Sequence, residues 1–427
     1  MILENKLKIY LKFFLIIVVC VFSFFKLKNH DLLKHLYFTN VGYRIPVIED
    51  VDEVYSKFKV PFLFPEKINN ELVYQKVENV GDDLGIYYYL PLVKNVFGFK
   101  TILSTYHFFF IGITFISFLI CVIGLKYLLK SKKAFYISTI YTFLFHFFLL
   151  FILDVYVINV LSISLIPLFL YRYQNKKDSF YYYVFLFIVG CLIGFSNLFR
   201  AQSGLPLLFF IGIYLMINWK STGIKTIIFS FLIIFCGMFV EKLHFSELKN
   251  DRKEFLLQHP NKYQIKTNEQ HVFWHPLYLG LGFLENKYGI KWKDNYGYNS
   301  VNKVNKKINV SFRSCGYEYE KEVKKMYTSL LIKDPLFILK SYIYKFIYCF
   351  FIVLIAINFL VVRIKKSIFS IKNIPFAIVL LFSVLPGVIV WPIPMYILSF
   401  VFLFLIWIFL EMDESVNIET ISRKKDE

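Results

Sequence analysis

The sequence predicts an all-α polytopic membrane protein with about ten transmembrane helices. Both termini are expected in the cytoplasm, with two large extracytoplasmic loops of partly helical structure. Three observations lead there. Of 427 residues, 57% are hydrophobic and 20% aromatic, against roughly 45–50% apolar in soluble domains. The apolar residues gather into ten runs, each near the ~20 helical residues that cross a bilayer core. The Lys and Arg residues between those runs are dense in every second connection, which is how membrane topology is written.

The net charge of +19 does not point to nucleic acid. Of the 49 basic residues 42 are Lys, and they cluster between apolar runs rather than along a groove for a polyanion. Cys20, Cys121, Cys191, Cys236 and Cys349 fall inside apolar runs, and Cys315 stands alone in a polar stretch. That excludes a disulfide framework or a cysteine-based zinc site within one chain.

Residues 9–26 form the first run. No small-residue cleavage site follows Phe25, so the segment reads as a retained helix and not as a signal peptide. The first outer loop covers 27–106. Six runs come next, at 107–129, 134–152, 155–171, 180–198, 203–219 and 224–241, and make a membrane block over 107–241. The second outer loop covers 242–340, and runs at 341–362, 374–390 and 393–410 make a second block before a cytoplasmic tail at 411–427. Asp154 alone separates the third run from the fourth, and Trp391-Pro392-Ile393-Pro394 turns the ninth into the tenth. A charge or a Pro is tolerable at the membrane surface and costly in lipid.

Orientation is set by the short connections. One side carries 19 Lys and Arg and the other only Arg200, which places the sparse side and both long loops outside the cytoplasm. The spans read as free of ionisable groups at their centres, which favours chemistry in the outer loops over transport through the membrane. No Walker-type phosphate loop and no internal repeat is present.

Candidate site residues come from those outer segments. Asp82 and Asp83 follow Gly81 and precede an aromatic stretch that suits the headgroup layer. Two like charges so close raise one pKa and make a usable general base; a solvated turn with a helix N-cap is the plainer alternative. Asp154 caps a turn between two spans. Arg200, beside Asn197, Gln202 and Ser203, suits a phosphate held by two parallel hydrogen bonds, or equally a snorkelling anchor. The second loop has 18 Lys and Arg against 10 Asp and Glu, an excess that attracts phosphorylated partners and anionic headgroups. In it Trp274, Tyr278 and Trp292, with Gly280, Gly282 and Gly289, form an aromatic segment on which sugar rings can stack. His271, His275, Glu285, Asn286 and Asp294 stand ready for hydroxyls. His271 and His275 share a helical spacing, but Pro276 comes directly after and no third ligand is near, so no metal site is assigned. A divalent cation is compatible with this set and not demanded by it.

The layout resembles the GT-C glycosyltransferases, which take sugar from a polyprenyl-phosphate carrier. The likeness rests on one helix, a large outer loop with an acidic pair followed by Tyr, and then many helices. In that class an acidic residue of the first outer loop is the catalytic base, a position matched by Asp82 or Asp83. A second acidic residue lies in the next outer turn, a position matched by Asp154. Outer-face cations stabilise the leaving lipid phosphate, a role Arg200 would take. One departure is that the pair lies far from the first helix, while Glu49-Asp50-Val51-Asp52-Glu53 lies nearer and remains a rival. The run from His271 to Phe283 resembles segments of bacterial multi-span proteins of the same layout. The resemblance implies the bacterial cytoplasmic (inner) membrane with the active side outward. It also implies a polyprenyl-phosphate sugar donor and a lipid-linked or surface glycan acceptor. Two other readings stay open: an O-antigen type polysaccharide polymerase, whose Arg-x10-Gly spacing is not met after Arg44, Arg252 or Arg313, and a transporter of lipid-linked glycan.

Overall fold

The computed structural model describes residues 41–68, 71–75, 84–176, 179–200, 202–258, 273–306, 317–358 and 371–426. Asp82, Asp83 and His271 lie outside the described residues, as does the run at 9–26. The first segment opens with α1 (Val41–Phe58), a hairpin of β1 (Phe64–Ile68) and β2 (Glu71–Gln75), and α2 (Leu84–Phe97). The two strands are antiparallel, with Phe64 opposite Gln75 and Ile68 opposite Glu71. Asp52 is the one residue of the acidic run 49–53 that α1 turns inward as a buried carboxylate, and Lys94 of α2 neutralises it. Glu49, Asp50 and Glu53 are exposed, as a solvated helix face requires.

The membrane block comprises α3 (Ile102–Leu128), α4 (Lys132–Ile152), a 3-10 turn (Val155–Val157), α5 (Ile158–Ser164) and α6 (Ile166–Lys176). It continues through α7 (Phe180–Phe199), α8 (Leu205–Ile217), a single turn α9 (Trp219–Thr222) and α10 (Ile224–Gln258). Hydroxyl caps start several of these helices: Thr101 accepts from the Ser104 N–H, Ser131 from Ala134 and Ser179 from Tyr182, each satisfying a donor that the first turn leaves unpaired. The second outer segment contains α11 (Trp274–Gly280), α12 (Asp294–Val304) and α13 (Tyr317–Lys333), and the chain then forms α14 (Pro335–Asn358), α15 (Ile374–Ile389) and α16 (Pro394–Asp426).

Among the described residues seven helices are long and apolar enough to cross a bilayer, so this is a multi-pass membrane protein. The sequence runs and the helices differ at several places, among them α16, which continues past the expected end at 410 to Asp426, and α3, which begins at Ile102 rather than 107. Run 155–171 is interrupted at Leu165, where the N–H bonds in 3-10 fashion and Pro167 supplies no donor. Run 203–219 is the 13-residue α8, about 20 Å long at 1.5 Å per residue and short of a full crossing. Run 224–241 continues unbroken to Gln258, because no Gly or Pro interrupts residues 239–258; the chain that was expected to begin a loop at 242 is still helix. Run 341–362 begins six residues earlier, at Pro335, and its far end passes out of the described residues.

Two devices hold the spans together. Helices α7 and α10 touch backbone to backbone: a Cβ at Gly190 would strike the Ile234 carbonyl, and one at Gly237 the Phe187 carbonyl. Small residues allow such approach where lipid offers no hydrophobic drive between helices. Inside the block, His146 corrects the expectation of span centres free of ionisable groups. It is buried, with Nδ1 2.8 Å from the Thr142 carbonyl and Nε2 3.1 Å from Ser117 Oγ. A carbonyl only accepts, so Nδ1 carries a proton; in the neutral ring Nε2 then accepts from Ser117. Ser117 also lies 2.5 Å from Ser164 Oγ, tying α3, α4 and α5.

Candidate functional site

Contacts between distant segments sort the helix connections to two ends. At one end Asp413 accepts from the backbone of Lys130 and Ser131 at 3.1 and 2.6 Å, and Asn373 donates to Glu411 at 2.8 Å. The other end collects the turns at 153–157, 200–204 and 390–393, together with α1 and α2. A buried polar cluster lies there.

Asp154 is buried and caps the 3-10 turn after Leu153, which takes a left-handed conformation at φ 35°. Its Oδ1 accepts from the Val155 N–H at 2.6 Å and the Tyr106 hydroxyl at 3.1 Å. The same atom lies 3.7 Å from Arg44 Nε, both side chains being 6% exposed. The turn cap and the charged partner are thus one residue. Two positions on, the Tyr156 ring lies 4.7 Å beneath the Arg200 guanidinium. Tyr156 in turn meets Tyr396 edge-on at 5.1 Å. Five elements therefore converge: α1 through Arg44, α3 through Tyr106, the 3-10 turn, the end of α7 through Arg200, and the start of α16 through Tyr396. Among the described residues the cluster holds two guanidinium groups and one carboxylate, lined by phenol hydroxyls. A stacked guanidinium presents its N–H edge in a fixed plane, a geometry suited to hydrogen bonds with an oxyanion.

The start of α2, which comes directly after the Asp82-Asp83 pair in the chain, is packed against this cluster. A Cβ at Gly85 would come within 3.0 Å of the Phe199 ring and 3.2 Å of the Leu198 carbonyl carbon, and Phe199 precedes Arg200. Two tyrosines fasten α2 to α10: Tyr89 donates to Glu241 at 2.9 Å, and the Tyr88 hydroxyl lies 3.2 Å from His244 Nε2. Burial, then the Glu241 charge, pushes the Tyr89 phenol well above its ordinary pKa. It is held as a donor.

The second-loop candidates are placed differently. Trp274 and His275 open α11, and both of their backbone N–H groups donate to Glu320, at 2.8 and 3.2 Å. His275 is buried with Nδ1 on the Tyr319 hydroxyl, Nε2 3.1 Å from Asp294 and its ring stacked on Tyr298 at 5.8 Å. The structure brings His275 and Asp294 together, but it engages both imidazole nitrogens inside the segment. Tyr278 is buried, and burial raises its phenol pKa. One face of Trp274 carries Lys324 at 5.4 Å. Glu285 is exposed. Trp292 is half-buried and stacks at 5.5 Å on Trp391, five residues before Tyr396. Among the described residues no group of three His, Cys, Asp or Glu side chains gathers where one cation would sit.

Arg44, Tyr106, Tyr156 and Tyr396 do not stand out in the sequence as site residues. One signal was there: Arg is scarce in this Lys-rich chain, seven of 49 basic residues, and Arg in place of Lys marks sites that need a planar fork. The fold defines a multi-pass membrane protein with an arginine–tyrosine cluster at one end of its helices. No protein-family model, curated protein or solved structure matches the chain.

Proposed function

We propose that the protein is a membrane glycosyltransferase that transfers a sugar from a polyprenyl-phosphate donor to a lipid-linked or surface glycan. The reading puts about ten spans in the bacterial cytoplasmic membrane, with both termini inside and the arginine–tyrosine cluster outside. The observation that carries it is the pairing of Arg200 with Tyr156, beside Arg44 and Asp154, at the helix end where α2 begins immediately after Asp82-Asp83. A pair of arginines at the membrane surface fits a lipid-borne phosphate, and a carboxylate pair that immediately precedes α2 in the chain fits proton abstraction.

In this mechanism Asp82 or Asp83 takes the proton of an acceptor hydroxyl. The freed oxygen attacks the anomeric carbon, the carbon–phosphate oxygen bond breaks, and the electron pair leaves on the lipid phosphate. Arg200 meets the charge that develops there. Asp154, matched to Arg44 and committed to the turn, orients the cluster and does not act as base. The test is transfer of radiolabelled sugar from a polyprenyl-phosphate donor in membrane vesicles. Arg200→Ala and at least one of Asp82→Asn and Asp83→Asn should abolish transfer at parental membrane levels. Full activity in both Asp variants, with loss on changing residues 49–53, would move the base. Failure of lipid-linked glycan to cross the membrane, with no sugar transferred by the parent, would replace the reading by transport.

A further inference from the structure

Lys345 is fully buried and belongs neither to the arginine–tyrosine cluster nor to the His275 network. Its Nζ donates to the carbonyl oxygens of Ile389 and Val390, at 3.2 and 3.4 Å, and rests 4.9 Å from the Tyr342 ring centre. Among the described residues no carboxylate pairs with it. Those two carbonyls end α15, where the last turn leaves acceptors without helical partners and the dipole is negative. A buried ammonium otherwise unpaired is costly, so the arrangement persists because three elements share it. The third is α11: a Cβ at Gly280 would collide with the Ile389 carbonyl and lie 2.7 Å from the Val390 oxygen and 2.9 Å from Lys345 Nζ. Gly280 is therefore the notch through which the second outer segment seats on the end of α15.

The seat controls the turn from α15 into α16. Val390 takes an irregular conformation, φ −91° and ψ −85°, and hands on to Trp391. That indole receives Trp292 at 5.5 Å and Phe283 at 5.3 Å, both from the outer segment. Pro392 to Pro394 then lead to Tyr396, the partner of Tyr156 under Arg200. We infer that Lys345 is a positioning residue: its ammonium bolts the outer segment and the end of α15 together. It thereby holds Trp391 against Trp292 and Tyr396 against the arginine cluster. The Gly280-Leu281-Gly282 run, which the sequence suggests as part of a sugar platform, serves this seat. The positioning claim rests on the glycosyltransferase reading; the bolt itself does not.

The experiment measures the turn and the reaction separately. A reporter cysteine, Ile393→Cys, is labelled with a maleimide in the full-length protein in membranes, in the parent and in Lys345→Met and Lys345→Ala. Met keeps the stem and removes the charge. If the ammonium holds the turn, both substitutions raise the labelling rate about tenfold, the scale expected for losing hydrogen bonds from a charged donor. Added n-propylammonium, which replaces the atoms that Ala lacks, restores slow labelling in Lys345→Ala and not in Lys345→Met. Sugar transfer falls in parallel and is rescued by the same amine. Parental labelling in Lys345→Met overturns the bolt, because an apolar stem would then suffice. Raised labelling with undiminished transfer overturns the positioning role. If the parent itself transfers no sugar, the glycosyltransferase reading falls, and the labelling still decides the bolt.

Discussion

At the scale of single residues, Arg200 and Asp154 show how one side chain serves two ends. Arg200 ends α7 and stacks on Tyr156 at 4.7 Å, an arrangement that uses the planarity of guanidinium. Lysine carries the same charge without the plane, so Arg200→Lys should lower transfer by about tenfold to a hundredfold with unchanged membrane levels. An assay of donor turnover checks this, and parental rates would show that only a charge is needed. Asp154 balances Arg44 in a site where both side chains are 6% exposed. Asp154→Asn keeps the shape and removes the carboxylate charge facing buried Arg44, which should cost about 3–5 kcal/mol. Thermal unfolding in detergent measures it, and Arg44→Met added to Asp154→Asn should recover part of the loss.

At the scale of elements, the helices are set by local chemistry and their partners by shape. Hydroxyl caps and apolar runs start and extend α3, α4 and α7, whereas Gly190 and Gly237 decide that α7 lies on α10. The second outer segment is likewise held by caps. Asp334 accepts from the Tyr288 hydroxyl at 2.8 Å, from Lys287 at 3.1 Å and from the Phe337 N–H at 3.1 Å, where α14 begins. These partners, Tyr288 foremost, hold its carboxyl below the usual range. A depressed carboxyl stabilises the fold above its unfolded value of about 4 and loses that contribution as pH falls through the lower folded value. The unfolding midpoint should therefore drop as the pH is lowered from about 4, and less steeply in Asp334→Asn. An identical slope in both proteins would show that this cap does not govern the segment's acid response.

At the scale of the whole molecule, contacts gather the turns after α4 and α7 and between α15 and α16 at one end, with Asp413 and Glu411 at the other. A cysteine at Glu285, which is exposed, should react with a membrane-impermeant maleimide in intact cells. A cysteine at Lys133 should react only after permeabilisation. The reverse pattern would place the arginine cluster in the cytoplasm and remove a lipid-linked sugar on the outer face as its ligand.

The membrane character of the chain is legible directly in the blocks 107–241 and 341–410, because burial in lipid acts on every residue of a span and so writes itself locally. Asp154 and Arg200 are legible for a related reason: charge is scarce at the sparse ends of the spans, and each exception stands out. Where α10 stops is not legible, since charged residues end an apolar run without ending a helix. Nor is the company these residues keep. Arg44 lies 110 residues from Asp154 and 156 from Arg200, and no local pattern encodes such a meeting. His275 and Lys345 show the same limit. In sequence one looks poised for a ligand, yet it is fully engaged by Tyr319 and Asp294; the other looks like the mouth of a span, yet it closes a joint. Composition and spacing determine which segments enter lipid, because transfer free energies add along the chain; which side chains face one another depends on how whole helices cross, and that is a property of the packed structure alone.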